Sequence, residues 1–199
     1  RALSDGQTND DMIALNADDS IERLENRDLA RGDIENIYIK DIYAKNCYTA
    51  IRMLSVNSAI RNIRIENVHC GCRYYAINMD GARYCATPLF KEEEYPKGSG
   101  MIENITVSNM NIYSMEGRFS VRALILCETR CKNFTITDLT RITEKDFYHD
   151  RPTFLARNTV DMRVETEKDE EKTCTLLKDK EASIVCNGSF KRLYLDIDS

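Results

Sequence analysis

The chain lacks most of what would mark a membrane, metal or nucleic-acid protein. No apolar run approaches the roughly 18 residues that a membrane span needs. No charged-then-apolar leader opens the chain, and its first residue is Arg1 rather than an initiator Met. There are only two histidines, His69 and His149, and the eight cysteines include no CxxC pair. The nearest approach is Cys70-x-Cys72, so a zinc site is not expected. Most of the thiols read as small buried hydrophobes, with disulfides as the alternative in an oxidising compartment. A net charge of −5 argues against nucleic acid as the main partner, since phosphate binding calls for a basic patch, but says little about neutral sugars. No cofactor is implied. No stretch carries a helix period with caps at its ends. The 199 residues, 42% hydrophobic and 31% charged, suit one soluble domain.

What the chain does have is a repeated phrase. Residues 34–42 read IENIYIKDI, 60–68 IRNIRIENV, 102–110 IENITVSNM and 131–139 CKNFTITDL. Each copy has Asn at its third place (Asn36, Asn62, Asn104, Asn133) and Asp or Asn at its eighth (Asp41, Asn67, Asn109, Asp138). Apolar and polar residues alternate between them. The Asn-to-Asn spacings are 26, 42 and 29 residues, a period that marks a repeat architecture. Stacked Asn side chains at a turn can bond to one another and to backbone, which makes a structural role for this column stronger than a catalytic one.

A second strand lies between the phrases: DDMIALN (10–16), YTAIRML (48–54), YAINMDG (75–81) and RALILCE (122–128). Aligned, these stack Ile13, Ile51, Ile77 and Leu124 in one column and Leu15, Met53, Met79 and Leu126 in another. The period of two is that of half-buried strands. Such short strands cannot bury an apolar face alone and need stacked neighbours. The expected fold is therefore all-β: a single-stranded right-handed parallel β-helix, or solenoid, with rungs of about 26 residues. The hand follows from the bias of parallel crossovers.

The expected organisation is one domain over residues 1–199, regular through 139 and degenerate with a cap over 140–199. Residues 81–100 lengthen one rung by about 16 residues, with Pro88, Pro96 and Gly98 as breakers. This loop either walls a binding face or is a tolerated insertion. Beyond 140, VDMRVET (160–166) and FKRLYLDI (190–197) read as strands, and the charged segment 167–183 as a solvated turn or excursion. DMIALN reads as the first strand with nothing capping it, so the chain resembles the C-terminal part of a longer coil. Association through that open end is a further expectation.

The motif with chemical promise is TNDDMIALN (8–16). Here the chain resembles the pectin-lyase-like right-handed β-helices, in particular the polygalacturonase-like glycoside hydrolases, where a rung commonly reads Gly-Asp-Asp, a small or apolar residue, then Ile-Ala-Ile or Leu. The stretch Asn9-Asp10-Asp11-Met12-Ile13-Ala14-Leu15 matches with Asn in place of Gly. The resemblance implies a polysaccharide or oligosaccharide partner, a secreted or cell-surface home, and Asp10 and Asp11 as the carboxylates of an inverting hydrolase. One carboxyl would protonate the leaving oxygen and the other would activate water. Adjacent residues of a regular strand point to opposite faces, so both can serve only if Asp10 lies in the turn before the strand. The alternative is that either residue only stabilises that turn.

The rest of the family pattern departs. Where those hydrolases carry Gly-His-Gly, this chain has Tyr48, Thr49 and Ala50; where they carry Arg-Ile-Lys, it has Asn78, Met79 and Asp80. The lost basic pair would hold a uronate carboxylate, so a galacturonate substrate is disfavoured. The residues left to bind substrate on that face are Asn16, Arg52, Asn78 and Asp80. Arg52 either contacts a sugar or forms an ion pair with Asp11 or Asp80. Tyr48, Tyr74, Tyr75 and Tyr84 offer stacking surfaces or plain packing. Two functions follow: a divergent glycoside hydrolase, or a non-catalytic carbohydrate-binding or structural module of surface or tailspike-like type. A β-helical lyase ranks below both, because no dense carboxylate cluster for calcium is present on the face.

Overall fold

The computed structural model describes residues 2–17, 27–28, 30, 32–56, 58–81, 101–118, 121–127, 129, 131–151, 153–156, 162–168, 171–176 and 182–189. Among the described residues thirteen strands run in chain order: β1 (Ala2–Gln7), β2 (Ile13–Ala17), β3 (Ile34–Cys47), β4 (Ile51–Ser55), β5 (Ala59–Cys72), β6 (Ile77–Asp80), β7 (Met101–Ser114), β8 (Ile125–Cys127), β9 (Cys131–Arg141), β10 (Phe154–Ala156), β11 (Met162–Lys168), β12 (Glu171–Leu176) and β13 (Ala182–Ser189). Among the described residues the only helical piece is a 3-10 turn, Thr143–Lys145. From β1 to β10 the chain alternates between two sheets. One is ordered β1-β3-β5-β7-β9-β13-β11-β12 and the other β10-β8-β6-β4-β2. Every pairing is parallel except β11 with β12. Two parallel sheets visited in turn are compatible with a coil of stacked rungs.

The long strands carry the repeated phrase, and the register explains its spelling. Ile37, Ile63, Ile105 and Phe134 are successive partners, as are Ile39, Ile65, Val107 and Ile136. From Ile63 and Ile65 onward along each column these side chains are at most 1% exposed. Each such side chain removed from water contributes about 2 kcal/mol. The inward set does not follow an unbroken period of two. It runs Ile60, Ile63, Ile65, Val68 and Cys70, with a step of three at two places. Each step spans one residue with positive φ: Asn62 at 57° and Asn67 at 57°. The same pair recurs as Asn36 and Asp41, Asn104 and Asn109, Asn133 and Asp138. Asn and Asp tolerate this left-handed conformation better than other side chains, so each long strand bends twice and resumes its alternation in shifted phase.

The Asn columns are hydrogen-bonded ladders. Asn62 Nδ2 donates to Asn36 Oδ1 at 3.1 Å, Asn104 to Asn62 at 3.2 Å and Asn133 to Asn104 at 3.0 Å. In the second column Asn67 donates to Asp41 at 2.9 Å and Asn109 to Asn67 at 2.9 Å. Every donation runs toward the chain start, so an ionised Asp, which only accepts, fits the first rung. The column ends in Asp138 on the last rung, and Asn109 Oδ1 accepts instead from Asn111 Nδ2 at 3.2 Å. The structural role expected for the Asn column is what these contacts display.

Several sequence expectations need correction. The first strand is β1, which pairs with β3 ahead of the DMIALN strand. In the short-strand sheet the fourth rung stacks Ile125 and Cys127 on Ile77 and Met79, not Leu124 and Leu126. The run ALILC is apolar throughout, so alternation could not set its phase. Leu126 instead pairs with Asn78 and joins a second cluster with Tyr75, Val121 and Ala123. Of the charged segment 167–183, expected as a solvated turn or excursion, Glu171–Leu176 form β12, antiparallel to β11 through pairs such as Glu167 with Lys172, so the simple turn is replaced by a hairpin. Of the expected strand over 160–166, Met162 to Thr166 lie in β11, and residues 160 and 161 lie outside the described residues. FKRLYLDI and the loop over 82–100 lie outside the described residues.

One inward column ends in a charge. Ala44, Cys70 and Ile112 are followed by Arg141, whose side chain is 1% exposed. Arg141 pairs with Asp146 through Nε at 2.6 Å, and through a second contact from Nη2. Its remaining protons reach the carbonyls of Arg151 at 2.6 Å and Tyr148 at 2.8 Å. Asp146 accepts from the Ser114 amide at 2.7 Å and from its hydroxyl. The buried pair is thus satisfied on both sides and pins the 142–153 turn against the last long strands.

Candidate functional site

The Asp motif enters the structure at the start of β2. Asp10 and Asp11 precede the strand, which begins at Ile13. Neither is bound by the face alternation of a regular strand, which is the condition under which both can serve one site. Asp10 is exposed, and its Oδ1 accepts the Asp11 amide at 2.8 Å, so it also braces the turn. The Met12 and Ile13 amides donate to the carbonyls of Thr49 at 2.9 Å and Ala50 at 3.1 Å, which fixes the turn on its neighbour.

Asp11 differs from Asp10 in its surroundings. Its side chain is 7% exposed. Burial pushes its carboxyl above the ordinary value of 3.8, against the opposing pull of the Thr49 hydroxyl and the Arg52 guanidinium; the Asp10 charge adds to the rise. The Thr49 hydroxyl oxygen is among the buried polar atoms left unpartnered.

Arg52 ties the rungs together. Its Nη1 lies 3.5 Å from Asp11 Oδ2, and its Nη2 lies 3.4 Å from Asp80 Oδ2. Nε also reaches Asp80 Oδ1 at 3.4 Å. The Asp80 side chain is fully buried. Asn78 Nδ2 donates to Asp80 Oδ2 at 3.1 Å, while Asn78 Oδ1 is buried and unpartnered. Two carboxylates, one guanidinium and one amide are therefore gathered from three consecutive rungs. The ion-pair alternative for Arg52 is present with both acids. Asn16 stays exposed on β2, in the register column of Leu54 and Asp80 rather than against Arg52.

Beside this cluster is an aromatic corner. Tyr48 and Tyr74 stack at 5.1 Å with planes 20° apart, and the Arg73 guanidinium lies 6.0 Å from the Tyr48 ring centre. Arg73 also donates to the Thr8 carbonyl, and the Thr8 hydroxyl accepts the Tyr48 amide at 3.1 Å. Tyr75 is buried in the second apolar cluster and offers no surface. Tyr84 lies outside the described residues. Sequence reasoning gave no role to Thr8, Thr49 or Arg73. The first two lie inside quoted motifs without being singled out as site residues, but Arg73 falls between the two repeated phrases and carries no pattern of its own.

Among the described residues no group of three or more His, Cys, Asp or Glu side chains is arranged to hold a metal ion. No helix among them is long and apolar enough to cross a membrane. In comparisons with known proteins, the chain matches no family model, no curated protein and no solved structure.

Proposed function

We propose that the two parallel sheets are faces of a right-handed β-helix of the pectin-lyase-like kind, and that the chain is carbohydrate-active, acting as a divergent glycoside hydrolase. The coil is supported by the strand-by-strand alternation between sheets and by the recurring left-handed corners. The observation that carries the function is the contrast between the two acids: a desolvated Asp11 with its carboxyl pushed up, next to an exposed Asp10 in the same turn. A general acid needs its proton near working pH. Asp11 would donate that proton to the leaving oxygen. Asp10 would take a proton from the attacking water on the far side of the sugar ring, so that the product anomer is inverted. Arg52 already lies between Asp11 and Asp80, which supports a neutral sugar rather than a uronate. Tyr48 and Tyr74 supply an apolar surface for a sugar ring.

The same Arg52 bridge favours a second reading, a non-catalytic carbohydrate-binding or structural module, because it makes Asp11 part of an ion-pair network. Reducing-end release from a panel of neutral polysaccharides, with Asp11→Asn beside the unaltered chain, separates the two. Release that disappears in the variant while its unfolding midpoint holds supports the hydrolase. Polysaccharide binding without release by either protein supports the module. Absence of both binding and release overturns the hydrolase and the carbohydrate-binding reading and leaves the structural module.

A further inference from the structure

Three thiols meet inside the long-strand sheet, at the strand ends that lead into Tyr48 and Arg73. Cys47 closes β3, and Cys70 and Cys72 close β5. Cys47 and Cys72 are register partners on adjacent parallel strands. Neighbouring strands lie about 4.8 Å apart, inside the Cα separation that a disulfide tolerates. The two sulfurs are 3.6 Å apart, and Cys47 Sγ also approaches the Gly71 carbonyl at 3.3 Å. All three are reduced, with exposures of 0%, 1% and 1%. Gly71 cannot carry a side chain here: a Cβ would meet the Lys45 carbonyl at 2.5 Å and the Tyr113 ring at 2.6 Å. That ring covers the outer side of the strand, and its hydroxyl donates to Lys45 O at 3.1 Å.

We propose that Cys47, Cys70 and Cys72 form an oxidation site that takes a small peroxide and closes a rung-to-rung disulfide between Cys47 and Cys72. A thiolate attacks one peroxide oxygen, giving a sulfenic acid and releasing hydroxide. The neighbouring thiol then attacks that sulfur and expels the second oxygen, and the released thiol proton completes the second water. In sum two thiols lose two hydrogens and two electrons, and hydrogen peroxide becomes two waters. Hydrogen bonds from Cys47 and Cys72 pull the Cys70 thiol down, whereas Cys47 and Cys72 are pushed up. Cys70 is thus first to give up a proton, and its thiolate is the one that meets the peroxide; Cys47 expels the oxygen of the Cys70 sulfenic acid as water, and the Cys72 thiol then attacks the Cys47 sulfur and releases Cys70 as a thiol. A peroxide is close to water in size, and so suits a centre that excludes larger oxidants. The bond would add a covalent tie between two rungs already joined by strand pairing and by contacts such as Tyr38 with Glu66.

The test is non-reducing peptide mapping of the folded chain after hydrogen peroxide treatment. The expected result is a Cys47–Cys72 cross-linked peptide, a mass lower by two hydrogens, and a higher thermal midpoint. Cys47→Ser should remove the cross-link, and Cys70→Ser should slow its formation at neutral pH without abolishing it. Cross-linking only after denaturation, or oxidation confined to other cysteines in the folded chain, overturns the proposal. The mapping of the unsubstituted chain decides this even if a variant fails to fold.

Discussion

Replacing Asn62 tests the origin of the corners. Its φ of 57° lies in the left-handed region, which costs a residue with Cβ roughly 1–2 kcal/mol. It also donates to Asn36 at 3.1 Å and accepts from Asn104 at 3.2 Å. Each bond is worth about 0.5–1.5 kcal/mol net, and these lie at the low end because water can replace them at an exposed site. Asn62→Ala loses both bonds and meets the backbone penalty, so it should destabilise by about 2–4 kcal/mol. Asn62→Gly loses the same bonds but not the backbone term, against a glycine entropy cost of roughly 0.5–1 kcal/mol. Glycine should therefore be the milder replacement, by a few tenths to about 1 kcal/mol. At Thr106, exposed in a regular stretch of β7, the order should reverse, with alanine milder. Urea unfolding followed by circular dichroism measures all four variants. The same order at both sites would refute the explanation of the corners.

Other consequences concern the second ladder, the core and the acids. Asp138→Asn should stabilise by about 0.5–1 kcal/mol, because its amide offers Asn109 Oδ1 a second donor beside Asn111 Nδ2 while keeping a residue suited to positive φ; a loss of stability in the same urea assay would count against the ladder's direction. Asp146→Ala should cost about 3–5 kcal/mol, since it strands the buried Arg141 charge, and a loss below about 1 kcal/mol would show that Arg141 finds water. Met79→Asp should unfold or aggregate the chain, as Met79 is fully buried between Met53 and Cys127; a soluble, normally melting variant would disprove the inward column. Asp11→Asn should gain stability relative to the unaltered chain as pH rises from 3.8 through the native titration. The raised carboxyl binds its proton more tightly folded than unfolded, so folding loses that contribution across this window. A difference that shrinks with rising pH would reverse the sign.

Much of the stacking was legible because it is written as identity at fixed period. Ile37, Ile63 and Ile105 recur at one place in the phrase, and the Asn residues that divide it are the ladders. What escaped notice was phase. Nothing in the alternation of IRNIRIENV announces that Asn62 and Asn67 each reverse φ, and ALILC offers no polar residue to say which leucine faces in. Strand β1 and the antiparallel β12 belong to no repeat, so only tertiary pairing reveals them. Of the site, Asp11, Arg52 and Asp80 were readable as candidates from their column positions. The burial that distinguishes Asp11 from Asp10, two adjacent and identical residues, depends on Thr49 and on the neighbouring rung. Arg141 carried no signal, because a charged residue at the end of an apolar column looks like the end of the strand.

The functional reading turns on Asp11 keeping its proton where an ordinary aspartate has lost it. Selective carbon-13 labelling of the aspartate carboxyls, with Asp11→Asn to assign the signal, follows this group through an acid titration directly. The midpoint should lie above 3.8, the ordinary value from which burial lifts it. A midpoint at or below that value would mean that the ion pair with Arg52 outweighs burial, and would contradict the assignment of Asp11 as the acid.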